Sequence, residues 1–429
     1  MDGKRPEGGQ RRSVSGGPLD GRPFAVCGDE VADAWLRVRG NRGAPGVDGQ
    51  SVAAFEERLE DNLYRVWNRM SSGTWFPPPV RAVEIPKPGG TRTLGVPTVA
   101  DRVAQTVVAS RIGGVAEGFF HRDSYGYRPG RSAHDALAVT RRRCWEHAWV
   151  LEFDIRAFFD SVPHDLVARA VEGLSLPPWV LLYVRRWLAA PVQVPGGGVR
   201  ARGMGTPQGS AVSPVLANLF LHWAFDAWMD REHPDCPFER YADDGVIHCD
   251  SQARARQVLA ALEARMREVG LELHPGKTRI AYCKDSNRRQ DWDGPVSFDF
   301  LGYQFRPRPA QGKNGMFTGF DLAASPRSMA RMSKAVRDWQ LHRHVSLTWD
   351  QLVHWIAPVI RGWMAYYGRY RRSELFPLLA RINYHLQKWL RAKYRRLKGF
   401  KAMIAAWDRV TTQSPGLLPH WRWVTHSWY

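Results

Sequence analysis

Arg240-Tyr241-Ala242-Asp243-Asp244-Gly245-Val246-Ile247-His248 is the stretch that decides the fold. β-Compatible residues flank an Asp-Asp-Gly turn signal, so the segment predicts a hairpin with the acidic pair at its tip. Upstream, Trp149-Val150-Leu151-Glu152-Phe153-Asp154-Ile155 predicts a second strand that ends near Asp154. If the strands are neighbours, Asp154 and Asp243 converge on hard cations. Mg²⁺ takes such oxygen ligands and binds few protein carboxylates, leaving positions for water and phosphate. Asp244 then holds charge and geometry beside them. By itself an Asp-Asp-Gly is an ordinary turn, and an Asp ending a strand is commonplace. The order of the surrounding motifs lifts the reading above that.

Working outward, Gly205-Thr206-Pro207-Gln208-Gly209-Ser210-Ala211-Val212-Ser213-Pro214 precedes the acidic pair, and Gly276-Lys277-Thr278 and Phe300-Leu301-Gly302-Tyr303 follow it. Further upstream stand Pro45-Gly46-Val47-Asp48-Gly49, Ile85-Pro86-Lys87-Pro88-Gly89-Gly90-Thr91-Arg92-Thr93-Leu94-Gly95-Val96-Pro97-Thr98 and Ser124-Tyr125-Gly126-Tyr127-Arg128-Pro129-Gly130-Arg131-Ser132. Downstream comes Arg361-Gly362-Trp363-Met364-Ala365-Tyr366-Tyr367. Each is weak alone, but the ordered set resembles the reverse transcriptases encoded by bacterial group II introns, which double as splicing maturases. The resemblance runs from about Pro45 to about Trp389.

The resemblance implies an α+β, right-hand polymerase fold: fingers and palm with an antiparallel palm sheet, then an α-helical thumb or maturase domain. It implies an RNA-directed DNA polymerase that copies intron RNA with two Mg²⁺ ions and assists splicing. Asp154, Asp243 and Asp244 would be catalytic, with Asp154 and Asp243 as metal ligands. Lys87 and Arg92, in a Gly-containing hairpin, would clamp the incoming dNTP, where cations offset charge during phosphoryl transfer. Phe159 stands where these enzymes place an aromatic ring against the sugar, whereas as a bare pattern Phe158-Phe159 is a core pair. Gln208 would line the nucleotide pocket, with Gly209 allowing close backbone approach. The family usually has a second glycine where this chain has Ser210. Lys277 would meet substrate or the palm carboxylates, or form a structural ion pair. Phe300-Leu301-Gly302 resembles the primer-grip region.

Composition agrees. A chain of 429 residues with a formal net charge of +19 implies more than one domain and a polyanionic partner. Residues 321–429 hold nineteen Lys and Arg against five Asp and Glu, so the C-terminal quarter is the expected docking surface for nucleic acid. Arg391, Lys393, Arg395 and Arg396 on a third thumb helix are the candidate contacts. The partners implied are intron RNA, a DNA target or primer, and dNTPs; oligomeric state stays open. The five cysteines have no paired spacing, so neither a zinc module nor a disulfide framework is expected. No apolar run approaches a membrane span and no signal core opens the chain, which predicts a cytoplasmic protein; the resemblance implies a bacterial one, on the nucleoid when bound to DNA.

Four parts are expected: a flexible basic tail over 1–28, fingers and palm over 29–320, thumb over 321–399, and a Trp-rich extension over 400–429 that contacts DNA. Helical patterns cover Val52–Met70, Ala133–His147, Ala253–Val269, Arg327–Gln340, Trp349–Tyr370 and Glu374–Leu397. Ser325-Pro326 gives an N-cap followed by proline at the first helical position. Trp355 and Trp363 are expected to pack. No Cys- or His-rich module follows the thumb, so no appended endonuclease is expected. Two other functions fit less of the pattern: a related reverse transcriptase recruited to defence or repair, and an RNA-binding maturase with a decayed polymerase site. The three intact carboxylates speak against decay.

Overall fold

The computed structural model describes residues 21–427 apart from 88, 89, 289 and 314. The chain folds as two compact units. One gathers the chain up to Arg131 with Ile155–Pro234 and Leu262–Leu273; the other gathers Ser132–Asp154, Asp235–Ala261 and His274–Tyr429. Among the described residues the strands, in chain order, are β1 (Val80–Lys87), β2 (Gly90–Val96), β3 (Trp149–Asp154), β4 (Val192–Gln193), β5 (Val199–Arg200), β6 (Phe238–Tyr241), β7 (Asp244–Cys249), β8 (Arg279–Tyr282), β9 (Phe298–Phe300), β10 (Tyr303–Gly312) and β11 (Gly315–Ala324). The architecture is α+β. No described helix is long and apolar enough to cross a membrane.

The first unit packs helices around Val99–Ala116, whose Val103, Val107, Val108 and Ile112 are all buried. Thr98 caps this helix by accepting from Asp101 N. The β2-β1-β4-β5 sheet belongs to this unit, with β1 and β2 forming an antiparallel hairpin. The expected helix over Val52–Met70 is two helices, Val52–Glu56 and Leu59–Ser71. Arg58 leaves the helical region, and the Asn62 side chain donates to the Phe55 carbonyl at 2.9 Å, supplying a partner that an unbroken helix would otherwise provide.

In the second unit a sheet of order β6-β7-β3-β8 is antiparallel throughout. Strand alternation sends Trp149, Leu151 and Phe153 to one face and Val150, Glu152 and Asp154 to the other. A second sheet, β11-β10-β9, leads into helices Pro326–Asp338, Trp349–Tyr367 and Phe376–Lys393. Ser325 caps the first by accepting from Ser328 N, and Pro326 opens it. The third is shorter than Glu374–Leu397: Tyr394 turns extended, and Arg395–Leu397 is a separate 3₁₀ turn. Trp363 stacks on Trp339 at 5.7 Å, as packing requires. Trp355 is 40% exposed but sets its ring against Trp339 at 6.5 Å and His344 at 5.4 Å. In the C-terminal extension Trp407 and Trp421 are buried, donating to Thr425 O and Asn383 Oδ1. Trp428 lies outside the described residues.

Candidate active site

The acidic hairpin forms one residue away from where the Asp-Asp-Gly signal puts it. Tyr241 pairs with Asp244, so the loop is Ala242-Asp243 and only Asp243 sits at the tip. Ala242 takes φ +59°, a left-handed value that costs a non-glycine residue, and Arg240 Nη1 holds its carbonyl at 3.0 Å. Asp244 is the first residue of β7 and lies directly opposite Asp154 of β3. Like charges in such a pair destabilise a sheet unless a cation neutralises them.

The charge pattern shows that cost. The Asp244 carboxyl is pushed up to about 7, first by desolvation and then by Asp243 and Asp154, with Lys277 pulling the other way. Asp244 remains exposed, so the like charges matter more than burial to what it can bind. Lys277 Nζ lies 2.9 Å from Asp154 Oδ2, an ammonium standing beside that oxygen. The loop carrying it is fixed by His274 N donating to Asp154 O at 2.8 Å. Among the described residues no three His, Cys, Asp or Glu side chains form a ready-made cage. An oxygen-only donor set with surplus negative charge nevertheless fits a divalent ion that borrows ligands from water and phosphate.

Behind the hairpin lies a network that the sequence reading missed. Glu239 is fully buried and bonds His248 Nε2 at 2.7 Å, Thr140 Oγ1 at 2.9 Å and the Arg143 guanidinium. Desolvation pushes its carboxyl up, but His248 and Arg143 outweigh that and hold it below its ordinary value. Glu239 is on β6 and His248 on β7, so the network pins both strands of the hairpin to the helix Ala133–Glu146. Two acidic or basic residues flanking the motif were the only sequence signal.

Residues 85–305 match the family model for reverse transcriptase (RNA-dependent DNA polymerase), just over half of the chain and including the whole acidic hairpin. The chain belongs to the reverse transcriptases. Residues 329–407 of this reverse transcriptase match the group II intron maturase-specific domain, which makes it a reverse transcriptase of the group II intron kind. It is 34% identical over 329 residues to protein YkfC of Escherichia coli, covering 66% of this chain and 82% of that protein. Group II intron-encoded protein LtrA of Lactococcus lactis is 28% identical over 217 residues, 47% of this chain and 35% of LtrA. An uncharacterised 91 kDa protein in the cob intron of Schizosaccharomyces pombe is 25% identical over 75% of this chain and 46% of its own length. Reverse transcriptases as a family use divalent metal ions.

Apart from Lys277, the nucleotide-binding candidates of this reverse transcriptase fall in the first unit. Arg92 Nε donates to Gln208 Oε1, and Gly95 N donates to Gln208 O at 2.7 Å, so β2 and the Gly205–Gly209 loop are joined. A Cβ on Gly95 would sit 2.7 Å from Pro207, so glycine is needed for that approach. Thr206 N donates to Phe159 O at 2.6 Å, bringing Phe159 beside the same loop; its ring is 7% exposed and meets Phe158 edge-on. Lys87 pairs with Gly90 through the backbone, and its side chain lies outside the described residues. Arg391 and Lys393 end the third thumb helix, while Arg395 and Arg396 lie beyond it on the 3₁₀ turn, correcting their expected place. Lys393 is half-buried, with Nζ on the Val345 and Leu347 carbonyls; Arg395 and Arg396 are exposed.

Ser210, the departure from family pattern, is tied into the core. Its Oγ donates to Gln105 Oε1 at 2.6 Å, and Gln105 Nε2 donates to Asp101 Oδ2 at 2.8 Å. Asp101 is buried and also accepts from Trp75 and Trp187 at 3.0 and 2.8 Å. Burial pushes its carboxyl up to about 6, against these bonds from Trp187, Trp75 and Gln105. A folded pKa above the ordinary 3.8 gives stability that is full below that value and is lost as pH rises through about 6. The stability of Asp101→Asn relative to wild type should therefore rise between about pH 4 and about pH 7, by up to about 3 kcal/mol, whatever its offset. Melting at each pH reads this, and a pH-independent difference sinks it.

Proposed function

We propose that this reverse transcriptase copies its intron RNA into cDNA from a DNA primer and also binds that RNA to assist splicing. The observation that carries the catalytic part is Asp154 opposite Asp244 with Asp243 in the adjoining loop, on a chain that also carries a maturase-specific domain. Asp154 and Asp243 would hold two Mg²⁺ ions, and Asp244 would keep the site's charge. When bound, the ions supply Lewis acidity for activating the primer 3′-OH and stabilising the leaving pyrophosphate. Asp154 and Asp243 orient that chemistry from a strand end and a turn held by Glu239, His248 and Arg240, so little reorganisation is needed. Lys277 would shift from Asp154 to substrate phosphate as the carboxylate is neutralised.

Arg92 and Lys87 would bind the triphosphate, Gln208 the nucleotide, and Phe159 would exclude a ribose 2′-OH by shape. Fingers and palm would span 29–320, thumb 321–399, and the 400–429 extension would touch DNA through exposed Lys401 and Arg409, since Trp407 and Trp421 are buried. Recruitment to another role without splicing is the second reading, and the maturase-domain match favours the first.

The test has two arms. Purified protein should extend a DNA primer on RNA with dNTPs and Mg²⁺, and should accelerate splicing of its own intron at low Mg²⁺. Arg395→Glu with Arg396→Glu should remove the splicing effect, weaken RNA binding and flatten its salt slope by roughly two phosphates, while melting and short-template extension survive. No extension overturns the polymerase part. Equal binding of unrelated RNA, with no splicing effect, favours the second reading.

A further inference from the structure

Tyr366 lies in the maturase-matching segment, yet its bonds run into the reverse transcriptase-matching segment within the same compact unit. Its phenol donates to the Leu301 carbonyl at 2.8 Å. Its own carbonyl, one of those left unpaired in a helix's last turn, accepts from the Tyr303 phenol and faces His134 Nε2 at 2.9 Å. The ring stacks on His134 with centroids 5.0 Å apart.

What Tyr366 holds is strained. Phe300 pairs with Tyr303, so Leu301-Gly302 is a two-residue turn, and both residues have positive φ, +49° and +79°. That is the type I′ pattern, for which Asn-Gly is the favoured pair; leucine at its first position is unfavourable and persists only where surroundings impose it. The surroundings come from the helices that follow: Tyr366 on the Leu301 carbonyl, and, at the start of the helix Pro326–Asp338 and just ahead of the maturase match, Ser328 Oγ and Ser325 N on the Gly302 carbonyl at 2.9 and 3.0 Å. Burial pushes the Tyr366 phenol up to about 12, with Tyr367 and Tyr241 adding to the shift, so the group stays a neutral donor. β9, which leads into the turn, packs against β3 and β7, the strands that carry Asp154 and Asp244.

We propose that Tyr366 is a positioning residue for polymerisation: it imposes the Leu301-Gly302 turn at the end of β9, the strand that packs against β3 and β7, and so steadies the strands that carry Asp154 and Asp244. This rests on the polymerase reading above.

The experiment uses the full chain with Tyr366→Phe, which keeps the ring and its stacking and loses one hydroxyl. Hydrogen exchange of residues 298–303 should quicken while the global melting temperature holds. On a preformed primer and RNA template kcat should fall about tenfold with KM for dNTP within about twofold. Adding Leu301→Asn, which tolerates the left-handed region, should restore exchange protection and most of kcat. Unchanged exchange or unchanged kcat overturns the proposal, as does a fall in kcat that tracks melting temperature or that Leu301→Asn fails to rescue. Wild-type protein that does not extend primers overturns the polymerase reading instead, so the two failures are distinct.

Discussion

Asp243→Asn and Asp154→Asn should each lower RNA-templated primer extension by about a thousandfold or more, equivalent to about 4 kcal/mol of barrier. Either change removes an anionic carboxylate from the cluster at the β6–β7 and β3 ends, and a neutral amide is a poor ligand for a hard cation. Stability should hardly move. Asp154→Asn forfeits the Lys277 ion pair, but that lysine is about half exposed, and such pairs contribute little. It also relieves the like-charge opposition to Asp244 across the strands. Binding to structured RNA should be unchanged, because the exposed basic residues after the third thumb helix are untouched. Near-wild-type extension by either variant would remove these carboxylates from the mechanism.

The other large effect is expected at Gly245, a residue without chemistry. A Cβ there would lie 2.3 Å from the Phe153 ring, which crosses the glycine opposite it in the β3–β7 ladder. Gly245→Ala must therefore displace a buried aromatic or part the two strands that carry Asp154 and Asp244. Overpacking of this kind costs about 1–3 kcal/mol. A displacement near 1 Å at a reacting centre lowers activity roughly a hundredfold. The two losses should separate: extension falls more than thermal stability does. Phe153→Leu placed with Gly245→Ala should recover part of the stability, giving a favourable coupling in a double-mutant cycle. Wild-type melting and activity in Gly245→Ala would show that the ring moves aside freely.

Much of the site was legible because its chemistry is local. The β-compatible flanks of Asp243-Asp244 and the run Trp149–Asp154 both became strands of one antiparallel sheet. The turn itself was misplaced by one residue, since Asp-Gly is the stronger hairpin signal and Arg240 stabilises Ala242 in a conformation that alanine does not favour alone. That single residue matters, because it moves Asp244 from the loop into register with Asp154. Glu239, His248, Arg143, Asp101 and Gln105 went unnoticed. Their partners are remote along the chain, and nothing in a short window distinguishes a buried charge from a solvated one.

The sequence by itself determined the family, the α+β class, the basic C-terminal quarter and the identity of the acidic residues. These depend on residue type, order and charge, which survive without a third dimension. Only the tertiary structure decided how they act together. It put Asp154 opposite Asp244, set Lys277 against Asp154, withdrew Lys393 into carbonyl contacts while leaving Arg395 and Arg396 exposed, and clamped the Leu301-Gly302 turn from the helices that follow. Each of these is a relation between segments far apart in sequence. Strand register, burial and unpaired helix-end carbonyls fix such relations, and they exist only once the chain has closed on itself.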